Sequence, residues 1–139
     1  MAGKLTIMMI KPYAVELGYI GPILSRINEF GFKIVALKYL QLTRSQAMEF
    51  YKIHYGQDFF EQLIENMTAG PIVACLLEKE NAVAEFRTLI GNTDPSKAAE
   101  GTLRKLYGTS LQKNGIHGSD SDENAIIEAN FYFSQMERF

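Results

Sequence analysis

The chain has 139 residues, 47% of them hydrophobic and 22% charged, with a formal net charge of −2. This length suits one domain, spanning residues 1–139, with room for one real core, and the composition excludes a disordered or fibrous class. The charge leaves no basic footprint for nucleic acid, and the apolar stretch 5–10 is too short for a signal sequence or a membrane span.

In chain order, "KLTIMMI" is a continuous apolar run ended by Pro12, as expected of a buried strand. Ile20, Ile23, Leu24 and Ile27 keep the i, i+3, i+4, i+7 spacing of an amphipathic helix, closed near Gly31. "FKIVALKYLQL" is rich in β-branched and aromatic residues and reads as a strand. Thr43 or Ser45 can cap a helix whose stripe is Ala47, Phe50, Tyr51 and His54. Phe60, Leu63, Ile64 and Met67 mark a second short helix, and "GPIVACLLE" another strand. That strand holds the one cysteine, Cys75, expected as a small buried hydrophobe in a reducing, cytoplasmic setting. Ala82, Phe86, Leu89 and Ile90 predict a helix ending at Gly91. Residues 92–118 read as irregular, and the last helix starts near Ser121. This order suits an α+β sandwich with helices against a small sheet. An irregular stretch as long as 92–118 points to function.

Several chemistries are excluded. The two histidines and one cysteine lie far apart, without zinc-ligand spacing, so no protein-held metal is expected. Neither a P-loop nor a G-x-S-x-G elbow is present. What remains is His117, set in "NGIHGSDSDE" among turn-forming residues. Histidine can be a nucleophile, and a neutral imidazole offers a lone pair near neutral pH. The flanking Gly115 and Gly118 would let a phosphate approach the ring. A carboxylate on the second ring nitrogen would fix the tautomer, and Glu128 in the last helix is the candidate. Each other polar residue has a plain reading when taken alone. Lys11 is then a strand-end charge, Tyr51 and His54 are core, Arg87 and Arg104 are surface charges, and Glu128 is solvated.

"NGIHGSDSDE" resembles the N-x-x-H-G-S-D signature of the nucleoside diphosphate kinases. "MIKPYAV", "IGPILSRINEFGFKIVALK", "FRTLIGNTDPSKAAEGTLRK" and "EANFYF" resemble that family in the same order, as does the whole stretch from Phe50 to Val83. The resemblance implies a ferredoxin-like βαββαβ sandwich with an antiparallel four-stranded sheet and added helices. It implies a ping-pong exchange in which His117 takes the γ-phosphate of ATP or another nucleoside triphosphate and passes it to a nucleoside diphosphate, maintaining nucleotide pools. By the same resemblance, Lys11 and Asn114 bind the ribose, and Phe59 and Leu111 sandwich the base. Tyr51, Arg87, Thr93 and Arg104 hold the phosphates, and Ser119 and Glu128 orient His117. Mg²⁺ is implied as a bridge between phosphates, held mainly by them and by water, and a homo-oligomer, tetramer or hexamer, is implied as the assembly.

The chain departs from the family pattern at Tyr13, at Gln57-Asp58, at Asp94 and at Lys105-Leu106-Tyr107. These are expected to alter supporting contacts, with Asp58 and Asp94 adding negative charge near an anionic ligand. A reading from another class is a binding protein on the same scaffold with its activity lost. His117 and the phosphate-binding set are all present, which favours the enzyme.

Overall fold

The structure is a computed structural model that describes residues 3–109 and 114–139. The described residues form a four-stranded sheet built from β1 (Leu5–Ile10), β2 (Lys33–Leu40), β3 (Ile72–Glu78) and β4 (Ile116–Gly118), in the order β2-β3-β1-β4. Every neighbouring pair is antiparallel. The helices are α1 (Pro12–Glu16), α2 (Ile20–Glu29), α3 (Arg44–Phe50), α4 (Phe60–Thr68), α5 (Ala82–Ile90), α6 (Leu103–Tyr107) and α7 (Asp122–Tyr132). The arrangement is the expected ferredoxin-like α+β fold. Helix α2 connects β1 to β2 across the position of β3, and α5 begins the connection from β3 to β4 across β1.

The unbroken apolar run in β1 follows from coverage of both sheet faces. Ile7 and Met9 join a core with Tyr51, Ile64, Met67 and Tyr132, while Met8 and Ile10 join a second with Ile23, Ile27, Phe86 and Leu89. The period-2 alternation of a strand divides them. The single core expected from length is therefore two layers on either side of one sheet. Cys75 is fully buried in the second layer, and burial pushes its thiol up to about 12.

The predicted helices and the first three strands fall where their periodicity placed them, with three differences. First, the stripe from Ala47 to His54 is not one helix. Helix α3 is capped by Thr43 in a full capping box and ends at Tyr51, and a single 3₁₀ turn, Lys52–His54, follows. Second, residues 92–118 hold a 3₁₀ turn at Pro95–Lys97, the five-residue α6 and the three-residue β4. These segments are too short to show a period. Third, α1 begins directly after Lys11 with Pro12 at its first position, where a missing N–H costs nothing.

Candidate active site

His117 lies in β4 directly opposite Met9 of β1, so its side chain takes the sheet face covered by α3 and α7. Ile116, on the opposite face, joins the α2–α5 core. A Cβ on Gly118 would lie 2.9 Å from Phe86 and 3.0 Å from Ile90. What this glycine provides is thus close approach of β4 to α5, rather than mainly room for phosphate as the sequence suggested. Gly115 has a φ of +86°, a left-handed conformation that glycine adopts freely. Its carbonyl accepts the Lys11 amide at 2.9 Å. The turn-forming residues around His117 therefore bring the loop back to β1 and seat β4.

Helix α7 supplies the carboxylate. Ser121 caps it, accepting from the Asn124 amide at 3.1 Å. Its inward residues are Ala125, Ala129 and Tyr132, and Glu128 shares that stripe, one turn from each neighbour. Glu128 Oε1 lies 3.2 Å from His117 Nε2 and accepts the Ser119 hydroxyl at 2.6 Å. Ser119 is fully buried, and its oxygen in turn accepts the Ile7 amide at 3.0 Å. This chain anchors the carboxylate to β1. With Nε2–H donating to Glu128, the tautomer leaves the Nδ1 lone pair free.

The site opens into a cavity of about 460 Å³. Its walls bring together Lys11, Tyr51, Phe59, Arg87, Thr93, Arg104, Asn114, His117 and Glu128. Nine of the eleven expected residues thus share one cavity. Ser119 lies just behind it through Glu128, and Leu111 lies outside the described residues. Phe59 is 47% exposed at the mouth, ahead of α4 and off its buried stripe of Phe60, Ile64 and Met67.

Charge is unevenly distributed along this wall. Three cations line it, Lys11, Arg87 and Arg104. Burial and the neighbouring Arg104 guanidinium bring the Lys11 ammonium down to about 7. Burial and Arg87 lower Arg104 to about 10. Such crowding of positive charge is what an anion would relieve. Arg104 Nη1 donates to the Gly91 carbonyl and Nη2 to that of Ile116, each at 3.0 Å. It therefore also ties the end of α5 to β4, contrary to the reading as a surface charge. Tyr51 is 5% exposed, and its hydroxyl has no hydrogen-bond partner among the described residues. Burial holds that hydroxyl well above its ordinary pKa, so it stays a donor.

Sequence reasoning assigned His54 to the core. The structure places it half-buried in the cavity wall, its ring centroid 5.4 Å from Phe59 and 6.3 Å from Tyr51. The break of the helix at Tyr51 turns it out of the stripe, a break too local for periodicity to show. Asp120, in the turn before α7, also lines the cavity, and it accepts the Asn124 side chain at 2.6 Å.

Three of the departures from the family pattern, Tyr13, Asp94 and Tyr107, make supporting contacts. Asp94 turns its carboxylate to the amide and hydroxyl of Ser96 at 3.0 and 2.8 Å, which uses the charge that was expected to oppose a ligand. Asp58 is exposed in the turn before α4 and is not among the cavity-lining residues. The Tyr13 hydroxyl pairs with that of Thr109. Tyr107 packs on Tyr19 with centroids 4.8 Å apart.

A family model described as nucleoside diphosphate kinase matches residues 4–138. The chain is 54% identical over 139 residues to a nucleoside diphosphate kinase of Flavobacterium psychrophilum, covering 100% of both. It is 48% identical to one of Persephonella marina, covering 99% of this chain and 98% of that one. A solved nucleoside diphosphate kinase of Aquifex aeolicus superposes with a TM-score of 0.96 at 42% identity, over 98% of this chain and 99% of that one. The Halobacterium salinarum enzyme in complex with CDP gives 0.94 at 36%, over 98% and 91%. With this likeness running the length of the chain and a histidine–carboxylate pair facing a cation-lined cavity, the chain belongs to the nucleoside diphosphate kinase family, a family of phosphotransferases.

Proposed function

We propose that His117 carries the phosphate in a two-step exchange. Nδ1 attacks the γ-phosphorus of a nucleoside triphosphate, the P–O bond to the diphosphate breaks, and the nucleoside diphosphate leaves. A second nucleoside diphosphate then attacks the phosphohistidine and restores the ring. The observation that carries this reading is the Glu128–His117 pair on the cavity wall: with the carboxylate taking the Nε2 proton, the Nδ1 lone pair is left to attack. Positive charge grows on the imidazole as it attacks, and the carboxylate on Nε2 stabilises it. Lys11, Arg87 and Arg104 offset the phosphate charge, Thr93 and the unpartnered Tyr51 hydroxyl donate to phosphate oxygens, and Asn114 with Lys11 binds the ribose. Phe59 stacks on the base, a contact tolerant of base identity.

Among the described residues no group of three or more His, Cys, Asp or Glu is placed to hold a metal ion. Of the two carboxylates on the cavity wall, Glu128 is committed to His117 and Ser119. This donor set fits Mg²⁺ arriving with the nucleotide and held by phosphates and water, and Asp120 is the cavity-wall carboxylate that would be available to assist. When bound, the ion neutralises phosphate charge.

The same reading makes the protein a cytoplasmic homo-oligomer, tetramer or hexamer, acting on ATP and other nucleosides' di- and triphosphates without nucleic acid or membrane. The half-exposed Leu37 and the exposed Tyr39 on the outer strand β2 support association. Among the described residues, no helix is long and apolar enough to cross a membrane.

Radiolabelled ATP tests the central step. The wild type is expected to give an acid-labile, base-stable phosphoprotein and His117→Gly none. An unlabelled wild type, or undiminished label on the variant, overturns the assignment.

A further inference from the structure

Phe50 ends α3, and its place in an apolar stripe marks it as a packing residue. The structure gives it a second position, in the wall of the cavity beside the histidine. Its ring lies 5.6 Å from His117, centroid to centroid, at 70°. It also meets Tyr51 at 4.8 Å, Phe131 at 5.2 Å and Tyr132 at 5.2 Å. Phe50 is thus the hub of an aromatic cluster with one side against the reacting ring.

His117 needs such a neighbour. Among the described residues its side-chain polar tie is the one to Glu128, on a single nitrogen. One hydrogen bond at the far end of the ring limits rotation about the Cβ–Cγ bond but leaves the imidazole room to rock about it. The two rings flanking it, Phe50 at 70° and Tyr51 at 84°, stand close to perpendicular and restrict that rocking. Edge-to-face pairs of this kind have a preferred geometry and an energy beyond area burial. Phe50 also offers water no hydrogen bond on the flank it covers.

We propose that Phe50 is a positioning residue for phosphoryl transfer. It wedges the imidazole with Nδ1 toward the cavity and keeps water from the phosphohistidine. This rests on the reading of His117 as phosphate carrier. The reaction it suppresses is hydrolysis: water attacks phosphorus, the P–Nδ1 bond breaks, the water's protons pass to solvent and phosphate, and inorganic phosphate leaves a neutral imidazole. Transfer to a nucleoside diphosphate breaks the same bond, so the environment of the intermediate decides between the two acceptors.

The test uses the labelled phosphoenzyme, freed of nucleotide, and follows release of label as inorganic phosphate. In Phe50→Leu the half-life is expected to shorten roughly three- to tenfold, with kcat lowered and KM for the nucleoside diphosphate little changed. Phe50→Tyr, which keeps the ring, is expected to restore the half-life. A merely structural role would lower the folded fraction without changing the lifetime of the intermediate in the molecules that remain folded. An unchanged half-life in Phe50→Leu overturns the proposal while leaving His117 as carrier, whereas an unlabelled wild type overturns both. If Phe50→Leu does not fold, the unmodified protein carries the test. Nuclear Overhauser contacts between Phe50 ring protons and the His117 imidazole are expected, and their absence overturns the proposal.

Discussion

At the scale of single residues, the proposed exchange gives the Glu128 carboxylate the choice of which nitrogen reacts, and gives Lys11 the response of the site to pH. Replacing Glu128 with Gln keeps the shape and removes the charge. Misorientation and lost stabilisation together should lower kcat by about a hundredfold, read by a coupled assay, with a smaller change in nucleotide KM. Lys11, brought down to about 7 by burial and by Arg104, loses its proton as pH rises through that value. Bound phosphate favours the charged ammonium. Nucleotide affinity is therefore expected to fall as pH rises above about 7, where a terminal phosphate is already ionised, and binding is expected to take up protons. Calorimetry in buffers of different ionisation heat reads this uptake, and Lys11→Met should abolish it. Phe59→Ala should raise KM for all nucleotides by similar factors, because stacking carries little base information. Loss confined to one base would contradict that role.

At the scale of elements, the site depends on how three short pieces end. Helix α3 stops at Tyr51, α7 starts at Ser121, and β4 is only Ile116–Gly118. Ser121→Ala removes the cap of the helix that carries Glu128, at a cost of about 1 kcal/mol. Thermal denaturation should show Tm lowered by roughly 3–5 °C. Gly118→Ala should both destabilise and slow the enzyme, since its Cβ meets Phe86 and Ile90, an overpacking worth about 1–3 kcal/mol. The long periodic elements were legible in the sequence because their burial repeats: Ile20 to Ile27, Phe60 to Met67 and Ala82 to Ile90 all pack as spaced. Helix α7 was legible from its cap. Its inward face was harder to read because Ile126 and Ile127 point outward, half-exposed and exposed, and scramble the pattern that places Glu128 inside. Helix α6 and strand β4 are shorter than any period and had no signal. The grouping of Lys11, Arg87, Arg104 and His117 was legible only from resemblance, because strand order brings them together and no local rule does. The outward turn of His54, the packing role of Gly118 and the diversion of Asp94 to Ser96 all depend on three-dimensional neighbours.

At the scale of the whole molecule, one sheet separates two apolar layers, and β1 at its centre serves both. Residues from its end, from α3, α5, α6 and α7, and from the loop before β4 then converge on one cavity. The fold thus holds His117, the proposed phosphate carrier, against its most buried strand and leaves Phe59, the proposed base-stacking residue, at the mouth. Light scattering is expected to give a mass of four or six chains, and a monomer would contradict the proposed assembly. The most direct test of the central claim is to locate the phosphate after rapid mixing with ATP, by alkaline digestion and separation of the phosphohistidine isomers. The geometry predicts phosphate on Nδ1 of His117, because Glu128 occupies Nε2. Phosphate on Nε2, or on any other residue, would contradict it.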